Sequence, residues 1–214
     1  MRRRWPAGAA LLREGDSSDH VLVIETGRVK VTSSATSGKQ VLLAIRGPDD
    51  LVGEFAAIDG SERSATVTAL SLVSAVVIQG SEFRAILIKD GKAAVGVLRI
   101  VVNRVREADK RRLEYGAYTV DERIARLLLD YSELYGRTDG DRVLIALPLS
   151  QAELAHAAGA SREAVVKALK RLRDQGAVRT ARRRVELLRP ELLGEIARDL
   201  PSVYSDADVP RHPR

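Results

Sequence analysis

Leu149-Ser150-Gln151-Ala152-Glu153-Leu154-Ala155-His156-Ala157-Ala158-Gly159-Ala160-Ser161-Arg162-Glu163-Ala164-Val165-Val166-Lys167-Ala168-Leu169-Lys170-Arg171-Leu172 is the stretch on which the reading of this chain turns. It spells two short helices joined by a tight turn. Ser150 is a good N-cap, and Glu153 completes a capping box with it. Leu154, Ala155 and Ala158 give the first helix an apolar side, and Gly159 stands where the turn of a helix-turn-helix needs a left-handed backbone. Ser161 caps a second helix whose Val165, Ala168, Leu169 and Leu172 recur at helical spacing. Its other faces carry Arg162, Glu163, Lys167, Lys170, Arg171 and Arg173. Such a helix suits the DNA major groove, where Arg and Lys donate to guanine O6 and N7 and Glu accepts from cytosine N4. The plainer reading is a surface helix hairpin whose charges face water.

The flanks extend the pattern. After Gly176, residues 177–180 and 184–188 alternate as a hairpin with Arg182 and Arg183 at its tip, a basic wing for backbone phosphate. Pro190 ends it, Glu191 to Leu200 reads as a short helix, and 201–214 as a flexible tail. Upstream, Thr119 and Glu122 form another capping box that opens a helix to about Leu134, followed by a loop over Gly136–Asp141. Gly116 is read as the break before it. A long helix over Lys92–Tyr115 places Ala94, Leu98, Val101, Val105, Ala108, Arg112 and Tyr115 at spacings of four and three, a coiled-coil seam that invites a second copy. The alternative is that this stripe packs on the rest of its own chain, and Val97 and Val102, off the seam, suit that role. Ser81 is read as the N-cap of a helix to Ile88. Between Ala10 and Ile78, the runs 21–24, 29–31, 41–45, 65–69 and 73–78 read as short strands punctuated by glycine, an antiparallel barrel or jelly roll.

Composition narrows the function classes. The 214 residues are 45% hydrophobic and 30% charged, and the net charge of +6 concentrates in Arg2–Arg4, Arg104–Arg112 and Arg162–Arg189. The last of these clusters lies where a basic surface attracts phosphate. The chain has no cysteine, which excludes disulfides, thiol redox chemistry and cysteine-ligated clusters. His20, His156 and His212 show no metal-ligand spacing. No apolar run is long enough to cross a bilayer and no signal-peptide core follows the Arg-rich start, so a cytoplasmic protein is expected. Neither a Ser/His/Asp set nor a Walker loop is present, and an enzyme is not expected.

The strand region contains Gly53-Glu54-Phe55-Ala56-Ala57-Ile58-Asp59-Gly60-Ser61-Glu62-Arg63-Ser64-Ala65. Arg63 can pair with a phosphate bidentately, Ser64 can donate a hydroxyl, and turn amides can add donors. Glu54 can accept from a sugar hydroxyl or hold Arg63 in place. A ligand-free reading of the same residues is an internal Glu54–Arg63 salt bridge that stiffens a loop.

In this order, strand domain, Gly-Glu…Arg-Ser-Ala stretch, seam helix and winged helix-turn-helix resemble the cyclic-AMP receptor protein superfamily of transcription regulators, from about Leu11 to Leu188. The resemblance implies an α+β chain. Its expected parts are an N-terminal cyclic-nucleotide-binding-type β jelly roll (1–91), a long dimerisation helix and hinge (92–118), a C-terminal winged helix-turn-helix (119–200) and the tail. It implies an effector site at Gly53, Glu54, Arg63, Ser64 and Ala65, where Glu54 meets the ribose 2′-hydroxyl and Arg63 and Ser64 meet the cyclic phosphate, cyclic AMP being the family's effector. It places Ser150, Ser161, Arg162, Glu163, Lys167, Lys170, Arg182 and Arg183 on double-stranded DNA, and Leu98, Val101, Val105, Ala108 and Arg112 in a homodimer interface, with RNA polymerase a further partner. There are three departures from the family. Ala108 and Asp109 stand where it carries hydroxyl residues that bind the nucleotide base, Lys167 replaces a base-reading arginine, and the segment before the first strands is short. The alternative retained is the same fold acting without ligand, the Glu54/Arg63 cassette being structural.

Overall fold

The computed structural model of the chain describes residues 1–34, 40–140, 142–147, 149–181 and 184–197. Two compact units divide it: Met1–Gly116 with Pro148–Arg162, and Ala117–Leu147 with the described residues from Glu163 on.

The first unit opens with β1 (Arg2–Trp5), β2 (Ala10–Leu12), β3 (Val21–Thr26), β4 (Val29–Ser34), β5 (Gln40–Arg46) and β6 (Leu51–Val52). It continues through α1 (Glu54–Asp59), β7 (Thr66–Ala69) and β8 (Val73–Ile78) to α2 (Gly80–Lys89) and α3 (Gly91–Ala117). Two antiparallel four-stranded sheets, β1-β8-β3-β6 and β2-β7-β4-β5, bury one shared core. Trp5, Leu22, Ile24 and Val73 come from the first sheet, and Leu12, Val29 and Val67 from the second. This is the expected jelly roll. A second cluster, Val21, Leu51, Ala57 and Phe83, is packed by Val97 and Ile100 of α3.

Three expectations change here. β1 was legible only as a basic run, yet it pairs with β8 from Arg2↔Val76 to Trp5↔Val73. Its arginines face water, one of them bonded to Glu25 at 2.7 Å, while Trp5 is buried. Ser81 lies inside α2, whose N-cap is Gln79 without a side-chain cap bond. Gly116 does not break α3, which runs on to Ala117. One interior glycine costs a helix only about 1 kcal/mol, and the chain turns instead just before the capping box of Thr119.

The second unit holds α4 (Val120–Tyr135), β9 (Gly136–Asp139), β10 (Arg142–Ile145), β11 (Val178–Ala181), β12 (Arg184–Leu187) and α7 (Pro190–Ala197). The reciprocal Thr119–Glu122 bonds open α4. Residues 136–139, expected as a loop, pair with β10 in a sheet of order β11-β12-β10-β9. Their Gly-Arg-Thr-Asp sequence carries no apolar alternation, so only the partner strand reveals them. α4 and α7 pack together, burying Ile124, Leu128, Leu193 and Ala197. The wing is present as β11 and β12, while Arg182, Arg183 and the expected tail lie outside the described residues.

The remaining helices are α5 (Gln151–Ala157), which lies against β5 in the first unit, and α6 (Arg162–Asp174). Ser150 and Glu153 cap α5 reciprocally, and Gly159 follows with φ +57°.

Candidate effector cavity and nucleic-acid interface

The Gly-Glu turn, the Arg-Ser-Ala triplet, β5 and one face of α3 enclose a cavity of ≈ 400 Å³, within the range of small-ligand sites. All five expected effector residues, Gly53, Glu54, Arg63, Ser64 and Ala65, line it. Gly53 has φ +88°, and a Cβ there would stand 2.8 Å from Arg63 Nη1. Arg63 is only 3% exposed. Its Nε donates to Ser18 Oγ at 3.1 Å, Nη1 to the Gly53 carbonyl at 2.7 Å and Nη2 to the His20 carbonyl at 2.5 Å. Burial lowers the Arg63 pKa, while Asp19, Asp16 and Glu54 act the other way, and the group remains a cation. Burial, and then the Arg63 charge, also lower the pKa of His20, favouring its neutral form. Ser64 is exposed, and its hydroxyl makes no hydrogen bond among the described residues.

The internal Glu54–Arg63 salt bridge does not form. Glu54, 2% exposed, pairs instead through Oε1 with Arg104 Nη1 of α3, and Arg104 Nη2 donates to the Leu51 carbonyl. Main-chain carbonyls already claim Arg63, while α3 delivers a second guanidinium to the carboxylate. Arg104 Nε–H is buried without a partner among the described residues. In the sequence, Arg104, Glu107 and Arg111 stand out only as part of a basic cluster. The available signal was the spacing of Arg104, Glu107, Ala108 and Arg111, which shares one helical face with Val101. All five line the cavity, as does Arg46 of β5, whose Nη2 bonds Glu107 Oε2 at 3.0 Å. Arg111 Nη1 donates to the Leu43 carbonyl.

α3 itself has no buried residue. Of the expected seam, Leu98, Val105 and Arg112 are exposed, Val101 is half-buried, and Val101, Val105 and Ala108 face the cavity. Val97 packs on its own chain as expected, but Val102 is exposed.

On α6, Arg162, Glu163, Val166, Lys167 and Lys170 form one exposed stripe opposite buried Val165, Ala168, Leu169 and Leu172. Arg162, Lys167 and Lys170 make no side-chain hydrogen bond or ion pair among the described residues. Arg171, by contrast, is held by Asp121, with Nε to Oδ2 at 2.5 Å, and that bond raises its pKa. Val166 was not singled out from the sequence, yet it shares the stripe and can meet a thymine methyl. Ser161, just before α6, is exposed. Ser150 lies away from the stripe's residues in the chain and lines a groove with Lys30, Thr32, Leu42, Glu153 and His156. There Lys30 Nζ bonds Glu153 Oε1.

Residues 2–90 match the cyclic nucleotide-binding domain family, and residues 122–196 match the Crp-like helix-turn-helix domain family. Among characterised proteins, the chain is 30% identical over 197 residues to the cyclic AMP receptor protein of Thermus thermophilus, covering 92% of this chain and 88% of that protein. It is 29% identical over 194 residues to the CRP-like cAMP-activated global transcriptional regulator of Mycobacterium tuberculosis, covering 91% and 87%. The fold is similar to the crystal structure of a CRP-family transcriptional regulator of Thermus thermophilus, with TM-score 0.78 and 26% identity over 91% of this chain and 96% of that one.

Proposed function

This chain belongs to the CRP/FNR superfamily of transcription regulators, and from that membership we propose that it is a homodimer whose binding to pseudo-palindromic DNA is set by a cyclic nucleotide held in the β-roll cavity. The observation that carries the effector reading is the cavity itself. It joins the phosphate-type cassette to α3 and is lined by Glu54, Arg63, Arg104 and the exposed Ser64. In this reading Arg63, Ser64 and the turn amides receive the cyclic phosphate. Glu54, fixed by Arg104 through Oε1, accepts from the ribose through Oε2. The two named cyclic-AMP proteins it resembles support that class of effector.

Arg162, Glu163, Lys167 and Lys170 read or approach DNA from α6, Ser161 meets phosphate, and the wing adds phosphate contacts. Residues 1–91, 92–118 and 119–200 serve as effector domain, dimer helix with hinge, and DNA-binding domain. RNA polymerase is the partner that would turn DNA occupancy into regulation. No helix among the described residues is long and apolar enough to cross a membrane, and a cytoplasmic location suits a DNA-binding protein. The effector acts through its differential affinity for two states of α3 packing, passed on through the hinge.

Arg63 supports a second reading. Ser18 and two carbonyls already hold each of its three nitrogens, engaging three of its five N–H donors, so the cassette can stand without ligand. Selection from a genomic fragment pool at physiological salt, with and without cyclic nucleotide, separates the two. A palindrome enriched only with nucleotide supports the switch. The same palindrome enriched regardless supports ligand-free action, and no enrichment sinks the sequence-specific regulator.

A further inference from the structure

Cyclic nucleotides share their ribose and phosphate, so discrimination among them falls to the part of the cavity beyond the cassette. α3 runs along that part. Arg104 marks the cassette end, and Arg111, seven residues on, lies roughly 10 Å further along the helix axis. Glu107 and Arg111 are one turn apart and share a face, with Ala108 supplying no hydrogen-bonding group beside them.

The two charged groups are only partly used. Arg111 spends one donor on the Leu43 carbonyl, leaving most of its planar fork. Glu107 accepts from Arg46 through Oε2 at 3.0 Å, and its Oε1 has no partner among the described residues. The Arg46 contact also holds the carboxylate in place. The far end therefore presents a donor fork and a carboxylate acceptor next to each other.

Guanine matches that pair twice. Its O6 and N7 are adjacent acceptors that suit a guanidinium fork, and its N1–H and N2 amino group are adjacent donors that suit a carboxylate. Adenine offers a lone amino donor beside single ring acceptors, so neither group engages it bidentately. We propose that the cavity takes a guanine cyclic nucleotide in preference to an adenine one, Arg111 binding O6 and N7 and Glu107 binding the N1–H and N2 amino edge. The inference rests on the effector reading above and deepens it by naming the base.

Calorimetric titration of the full-length protein with cyclic GMP and with cyclic AMP tests it, using wild type, Arg111→Gln, Glu107→Gln and Arg63→Gln. Melting curves establish that each variant is folded. Cyclic GMP is expected to bind at least about tenfold more tightly than cyclic AMP, the discrimination one bidentate pair supplies. Arg111→Gln and Glu107→Gln are each expected to shrink that ratio severalfold. Cyclic AMP binding as tightly as cyclic GMP, or a ratio untouched by both substitutions, overturns the guanine assignment while leaving a cyclic-nucleotide site sensitive to Arg63→Gln. Binding of neither nucleotide to wild type overturns the effector reading, and the base assignment with it.

Discussion

Gly53 carries a tight steric demand at the heart of the cassette. With φ +88° and space for a Cβ only 2.8 Å from Arg63 Nη1 and 3.0 Å from the His20 carbonyl, any side chain there strains the backbone and displaces the arginine. Gly53→Ala is expected to destabilise the effector domain by roughly 1–3 kcal/mol, read as a fall in the denaturant midpoint, and to weaken nucleotide binding as well. An unchanged midpoint would show that the turn relaxes freely. On α6 the residues separate by role. Arg162→Ala is expected to cost about 1–3 kcal/mol on the specific site and to relax one base position, whereas Lys170→Ala weakens all sequences alike and reduces the salt slope by about one. Equal losses on specific and random DNA for Arg162→Ala would remove it from base reading.

Helix α5 depends on a contact with the strands as well as on its own sequence. Glu153 closes the capping box with Ser150 and also bonds Lys30 of β4. Burial alone would raise its pKa, but the bonds from Lys30 and Ser150 outweigh burial and hold it below the ordinary 4.5. A carboxylate depressed in the folded state stabilises above its unfolded pKa, and that stabilisation disappears as pH falls through the lower folded value. The seating of α5 is therefore expected to be constant at neutral pH and to loosen below 4.5, read as hydrogen exchange of α5 amides corrected for intrinsic rate. Lys30→Ala should speed that exchange at neutral pH by an amount equivalent to at most about 1 kcal/mol, and Glu153→Gln should do so by more because it also weakens the cap. Protection indifferent to both substitutions would mean that apolar packing alone seats the helix.

For the whole molecule, α3 is the feature a single chain does not explain. Leu98 is 60% exposed, Val105 55% and Leu113 57%, and with Val95 and Val102 the first two continue a spacing of three and four. A long helix bearing such a stripe is satisfied by a second copy, and a two-fold dimer places two α6 helices on successive major grooves. Leu98→Asp is expected to give monomers in sedimentation equilibrium and to lose palindrome selectivity while keeping weak, salt-sensitive binding to random DNA. A dimer that survives this change would move the interface off α3.

The local features were legible in residue order. Two capping boxes, the apolar stripe of α6 and the β-branched runs of the roll each depend on neighbours a few positions apart, so capping and periodicity mark them without reference to any tertiary contact. The cassette residues were legible as a set for the same reason, since they sit at the start of α1 and in the short segment between α1 and β7. Their partners were not. The Glu54–Arg63 pair of the ligand-free reading gave way to Glu54–Arg104, joining residues 50 positions apart, and Lys30–Glu153 joins residues 123 apart. β1 and β9 escaped notice because outward-facing polar side chains hide a strand whose backbone pairing comes from β8 and β10. Gly116 misled in the opposite direction, because one residue's low helix propensity is small beside the bonds of a long helix. Residue order settled which segments form and which chemistry they carry; the packing of sheets against α3 decided which charges meet, because a charge buried on folding must find its partner wherever the fold brings one.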